Sequence, residues 1–117
     1  MAMKLFTPEE REKLLQEELD RVLKIIKEQY DPERIILFGS LVTREVHEGS
    51  DIDLLIVKKT LKRPIERTLE LGRLIRPRVG IDMFIYTPEE FETLQEENFS
   101  FFRSILKRCE ILYEKRN

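Results

Sequence analysis

The sequence predicts an α/β fold, a small mixed β-sheet with helices packed against it. Three observations carry that expectation: apolar residues at helical spacing over 8–29, three short β-prone runs at 34–38, 51–57 and 79–86, and a second helical pattern over 63–76 between the last two runs.

Thr7-Pro8-Glu9-Glu10 reads as a helix start. Thr7 is placed to cap, Pro8 takes the first helical position, where a missing N–H costs nothing, and Glu10 closes a capping box. Leu15, Leu19, Val22 and Ile26 then recur at steps of four, three and four, which makes one apolar stripe along the helix. Asp31-Pro32 ends it, and Arg34-Ile35-Ile36-Leu37-Phe38 follows as a buried first strand stopping at Gly39.

After a polar stretch, Asp51-Ile52-Asp53-Leu54-Leu55-Ile56-Val57 reads as the second strand. Its side-chain period of two puts Asp51 and Asp53 on one face, Ile52 and Leu54 on the other. Ile65, Leu69 and Leu74/Ile75 space the next helix, which Pro77 ends; Val79-Gly80-Ile81-Asp82-Met83-Phe84-Ile85-Tyr86 is the third strand. Thr87-Pro88-Glu89-Glu90 repeats the first helix-start signature, giving a short helix to about 96. Another helix is expected around 98–108, then Glu110-Ile111-Leu112-Tyr113 as a terminal edge strand. Phe99, Phe101, Phe102 and Ile105 crowd more than one face of that last helix, so they either fill the core or leave an apolar surface for a partner.

A length of 117 residues suits a single domain over 1–117, with one hydrophobic core. The 41% hydrophobic and 38% charged content is that of a soluble globular chain, and no apolar run reaches the length of a membrane helix. The N-terminus turns acidic before a signal-peptide core could develop, so a cytoplasmic location is expected. Lone Cys109 excludes an internal disulfide and reads as an ordinary packed thiol. Low Asn and Gln beside abundant Glu, Lys and Arg resembles the composition of heat-adapted proteins. The net charge of −2 conceals an asymmetry: residues 58–78 are +6 and the remainder −8. That basic segment is either a solvated helix face or a patch for phosphates, RNA or an acidic partner.

The chemistry concentrates in Gly39-Ser40, ten residues, then Asp51-Ile52-Asp53, with a third strand-borne acid at Asp82. Two carboxylates on one face of a strand end repel each other unless a cation sits between them. Oxygen-only ligands suit Mg²⁺, and with Asp82 from a neighbouring strand three acids can hold two ions, the arrangement that clamps attacking and leaving oxygens in phosphoryl transfer. Gly39 permits a close turn whose backbone N–H groups, with the Ser40 hydroxyl, can receive phosphate oxygens. His47, in the loop before Asp51, is a candidate proton shuttle or an exposed loop residue.

Gly-Ser, ten residues, then Asp-x-Asp resembles the signature of the minimal nucleotidyltransferases, compact members of the DNA polymerase β superfamily. That resemblance implies that Gly39 and Ser40 contact the triphosphate of ATP or another NTP, that Asp51 and Asp53 bind two Mg²⁺ ions, and that Asp82 completes the catalytic metal site. Where family members often carry Ala-Arg-Gly shortly after Gly-Ser, this chain has Val42-Thr43-Arg44. Arg44 either replaces the displaced basic side chain in binding nucleotide or belongs to a loop that runs differently.

Short proteins of this kind resemble the antitoxin half of toxin–antitoxin pairs, which transfers AMP to a tyrosine of a HEPN-domain toxin. The implied function is Mg²⁺-dependent transfer of a nucleoside monophosphate to a hydroxyl of such a partner, with release of pyrophosphate. The alternatives are a non-catalytic module that blocks its partner by contact, and an RNA-binding or RNA-modifying protein using residues 58–78. A symmetric homodimer is a further arrangement the sequence permits.

Overall fold

The Thr7 start forms as its chemistry dictates: Thr7 Oγ1 accepts from Glu10 N at 3.1 Å, and Glu10 Oε1 accepts from Thr7 N at 3.1 Å. From this capping box helix α1 runs Pro8–Gln29 and buries the stripe Leu15, Leu19, Val22 and Ile26. The computed structural model describes residues 7–97 and 100–116, with the backbone alone at Phe101. The elements that follow are β1 Arg34–Phe38, α2 Ser40–Thr43, β2 Ile52–Val57, α3 Pro64–Ile75, β3 Ile81–Tyr86, α4 Pro88–Glu97, α5 Ser100–Lys107 and β4 Glu110–Glu114.

The strands form one mixed sheet in the order β3-β2-β1-β4. Strand β1 lies antiparallel to both β2 and β4, while β2 and β3 are parallel. A parallel pair needs a crossover, and α3 supplies it. Because β1 is antiparallel to β2, the end of β1 meets the start of β2, with Phe38 opposite Asp53.

Helices cover both faces, which is why the run from Leu54 to Val57 is buried without alternation. Helices α1 and α3 pack over Ile35, Leu37, Ile52, Leu54 and Ile56; on the opposite face, Phe91, Phe102 and Ile105 of α4 and α5 pack over Ile36, Leu55 and Val57. Phe102 and Ile105 are therefore core residues, with the Phe102 ring edge-on to Phe91 at 5.3 Å. Phe99 and the Phe101 side chain lie outside the described residues. Cys109 is a half-buried free thiol. No described helix is long and apolar enough to cross a membrane.

Two buried charged groups tie the crossover down. Glu18 of α1, 5% exposed, accepts from Arg21 Nε at 2.7 Å and from the backbone N–H of Arg78 at 2.6 Å. Arg67 of α3, also 5% exposed, donates to Ile85 O at 3.2 Å and to Glu90 Oε1 at 2.7 Å. The basic segment is thus partly internal wiring: Arg67 is buried, Lys58 reaches the Tyr30 carbonyl, and Lys62 and Arg63 pair with Glu70 and Glu66.

Candidate functional site

Parallel pairing of β2 with β3 sets Asp53 in register with Asp82. Asp51 stands one residue before β2, where Ile52 N donates to Gly80 O at 3.0 Å and fixes the approach of the two strands. Alternation puts Asp53 on the sheet face of Leu55 and Val57, and Asp82 on that of Phe84 and Tyr86. Both acids therefore lie on the α4/α5 face, at the end of the strands. Phe38, across the strand pair from Asp53, contacts Phe84 at 5.8 Å between ring centroids and gives the acids an apolar floor.

Two glycines back directly onto the carboxylates. Gly39 has φ 79° and ψ −155°, a conformation essentially confined to glycine. A Cβ there would overlap the Asp53 carboxylate, only 3.0 Å from its Cγ. A Cβ at Gly80 would fall 2.6 Å from Asp51 Cγ. At Gly39 the backbone itself demands glycine, while at Gly80 a side chain could enter only by displacing the Asp51 carboxylate.

Burial pushes the Asp53 carboxyl up to about 6, helped by a hydrogen bond with Asp82 and by the charges of Asp82 and Asp51. Asp51 is answered differently. Arg11 of α1 donates from Nε to Ser50 O at 2.9 Å and lies with its second nitrogen 3.5 Å from Asp51 Oδ1. The Arg11 side chain is only 15% exposed. Among the described residues the acids are not gathered as a formed metal cage. Asp53 lies against Asp82 with its own carboxyl held up, and Asp51 lies beside a guanidinium. A donor set made only of carboxylate oxygens, with a raised pKa and a borrowed cation, fits a hard divalent ion that would supply positive charge to all three acids.

Gly39 leads into α2, a single helical turn within what reads from the sequence as a polar stretch. The first backbone bonds of this turn come from Val42 and Thr43 onto Gly39 O at 3.1 Å, so the N–H groups of Ser40 and Leu41 precede them, beside Asp53. Arg44 ends the turn with φ 65°, and its side chain, 75% exposed, pairs with Glu12 of α1 at 2.8 Å. Among the described residues it makes no contact with the acids. His47 is exposed, its Nδ1 accepting from Gly49 N at 3.1 Å within its own loop. Ser50, just before the acid pair, is buried, and its hydroxyl accepts from His47 N at 2.9 Å.

Arg11 and Gly80 were not singled out by the sequence. Arg11 lies forty residues from Asp51 among other charged helix residues, and nothing in its spacing marks it. Gly80, two residues before Asp82, did carry a signal: a glycine entering a strand often marks a close approach.

The family described as "Polymerase beta, Nucleotidyltransferase" matches residues 20–117, a span that contains Gly39, Ser40 and the three acids but not Arg11. Among solved structures, a candidate nucleotidyltransferase from Sulfolobus solfataricus aligns with a TM-score of 0.64 at 18% identity, over 98% of this chain and 94% of that one. A chain from a toxin–antitoxin complex with AMP-PNP aligns with a TM-score of 0.53 at 18% identity, over 83% of this chain and 73% of that one. No curated protein matches the sequence.

Proposed function

Because this chain belongs to the polymerase β nucleotidyltransferase family and is a nucleotidyltransferase, we propose that it transfers a nucleoside monophosphate, AMP from ATP, to a hydroxyl of a partner protein. The observation that carries this reading is the registered pair Asp53 and Asp82, with Asp51 one step outside it and the Gly39 turn packed against Asp53. Three acids at one strand end beside the first N–H groups of a helical turn suit a triphosphate and an incoming hydroxyl better than a passive surface.

Each group has a task in this reading. The Ser40 and Leu41 N–H groups and the Ser40 hydroxyl receive phosphate oxygens at the β1 turn. Asp51 and Asp53 would hold Mg²⁺ together with the triphosphate, and Asp82 would join them in holding an ion beside the acceptor hydroxyl. When bound, Mg²⁺ would neutralise charge on the phosphates and lower the cost of forming the attacking phenoxide and the pyrophosphate leaving group. Phe38 and Phe84 keep water from the inner side of Asp53. Arg44, held by Glu12, would have to leave that pair to touch nucleotide, so it is assigned at most a contact to the outer phosphates.

Similarity to a chain from a toxin–antitoxin complex with AMP-PNP supports a protein acceptor and an adenine nucleotide. A tyrosine of a HEPN-domain toxin, in the cytoplasm, is the acceptor proposed. The test is incubation with α-labelled ATP, Mg²⁺ and the product of the adjacent gene. Label should pass to that protein's tyrosine with wild-type enzyme and not with Asp53→Asn. Silencing of the partner by both proteins without label would favour the contact-only alternative.

A further inference from the structure

Helix α3 buries Arg67, Leu71 and Ile75 and turns Ile65 and Leu69 outward, 61% and 50% exposed. Gly72 falls on the same outward stripe, since residues 65, 69 and 72 lie within about 60° of one another at 3.6 residues per turn. Its backbone is ordinary helix, and a Cβ added there would meet nothing within 4 Å. Neither conformation nor crowding within this chain accounts for a residue that weakens a helix interior relative to alanine. Leu61, three residues before α3, is also fully exposed.

We propose that this face of α3 is the contact between two copies of the chain, packed antiparallel about a two-fold axis near Leu69. A two-fold contact needs a self-complementary patch. Ile65 and Gly72 are two helical turns apart with Leu69 between them. Antiparallel pairing therefore seats Ile65 of each copy over the open space at Gly72 of the other and sets Leu69 against its counterpart.

The charges obey the same symmetry. Glu66 and Arg73 lie on one flank of the stripe, also two turns apart, so each Glu66 comes to face Arg73 of the second copy. Within the chain Arg73 makes no ion pair among the described residues, and Glu66 is held on the surface by Arg63. Because α3 covers the sheet face opposite Asp53 and Asp82, pairing through it leaves both active sites open. A contact centred on Ile65, Leu69 and Gly72 is small and falls among weak interfaces, which bury less than ~1,200 Å² in total. Association is therefore reversible and concentration-dependent.

Sedimentation velocity on the full chain, from low to high micromolar concentration, tests this. Wild type should pass from monomer to dimer across that range. Leu69→Glu should remain monomeric with an unchanged melting temperature, and Arg73→Glu should weaken the dimer by about tenfold. Gly72→Leu is the sharper variant: it fills the seat for Ile65 and should abolish dimerisation while the monomer melts no lower than wild type. A wild type that stays monomeric throughout, as it would if α3 docks a different protein, overturns the proposal. So does a dimer indifferent to Leu69→Glu and Gly72→Leu.

Discussion

Asp53 and Asp82 face each other in register across the parallel β2–β3 pair, and the hydrogen bond they share helps push the Asp53 carboxyl up to about 6. A carboxylic acid that ionises so late, on an end of the sheet floored by Phe38 and Phe84, is held ready for a cation and is a liability without one. That single relationship generates most of the behaviour expected of the protein.

Asp53 should make metal-free stability depend on pH. Its folded pKa of about 6 exceeds the ordinary 3.8, so the native state holds the proton more tightly than the unfolded chain. The associated stability is fully present below pH 3.8 and is lost as pH rises through about 6. Asp53→Asn cannot titrate and should melt higher than wild type at pH 7–8, by on the order of 1 kcal/mol after discounting for solvent screening, with the gap closing towards pH 4. Thermal melts in EDTA across this range check it; a gap that does not grow with pH contradicts it.

Gly39→Ala and Gly80→Ala place a methyl group against Asp53 and Asp51 respectively. Both should cut nucleotide transfer by about 10² or more, the scale on which misplacing a catalytic group is felt. Gly39→Ala should also melt lower, because φ 79° with ψ −155° strains any other residue by about 1–3 kcal/mol. Transfer within a few-fold of wild type in either variant would detach that glycine from the site.

Arg11 stands where a second positive charge competes for Asp51. Arg11→Gln should raise Mn²⁺ affinity a few-fold, since a fixed cation beside the acid is removed, and should lower metal-free stability by about 1 kcal/mol through the lost bond to Ser50 O. Arg11→Lys, which keeps the charge, should leave Mn²⁺ affinity near wild type. Paramagnetic relaxation titrations read the affinity; unchanged binding in Arg11→Gln would reduce Arg11 to a structural tie.

Much of this was legible before folding because it depends on local chemistry. Capping at Thr7, the break at Asp31-Pro32 and the period of two after Asp51 are read within a few residues of where they act, and the elements lie where those signals put them. The registration of Asp53 with Asp82 could be anticipated only as a condition, that β3 lie beside β2, because strand order is a property of the whole sheet. Arg11 and the burial of Arg67 were invisible for the same reason: each acts on a distant partner, and a charged helix residue bound for the interior carries no local mark. The α2 turn was missed because four residues are too few to show a period.

Asp82 should separate binding from chemistry. Asp82→Asn removes charge from the metal position assigned to the acceptor, while Asp51 and Asp53 remain for the ion that accompanies the triphosphate. Mg·ATP affinity should stay near wild type and single-turnover transfer should fall by roughly 10²–10³, the usual loss for one transition-state stabiliser. Near-normal transfer would remove Asp82 from the site.

The central claim is that Asp51, Asp53 and Asp82 are metal ligands for a nucleotide, and it can be tested without knowing the acceptor. Calorimetric titration of the wild-type protein with a non-hydrolysable ATP analogue, in Mg²⁺ and in EDTA, measures it directly. The three carboxylates should repel an uncompensated triphosphate, so affinity with Mg²⁺ should exceed that in EDTA by at least about tenfold, and Asp51→Asn/Asp53→Asn should abolish the difference. Equal affinity with and without Mg²⁺ would contradict the account.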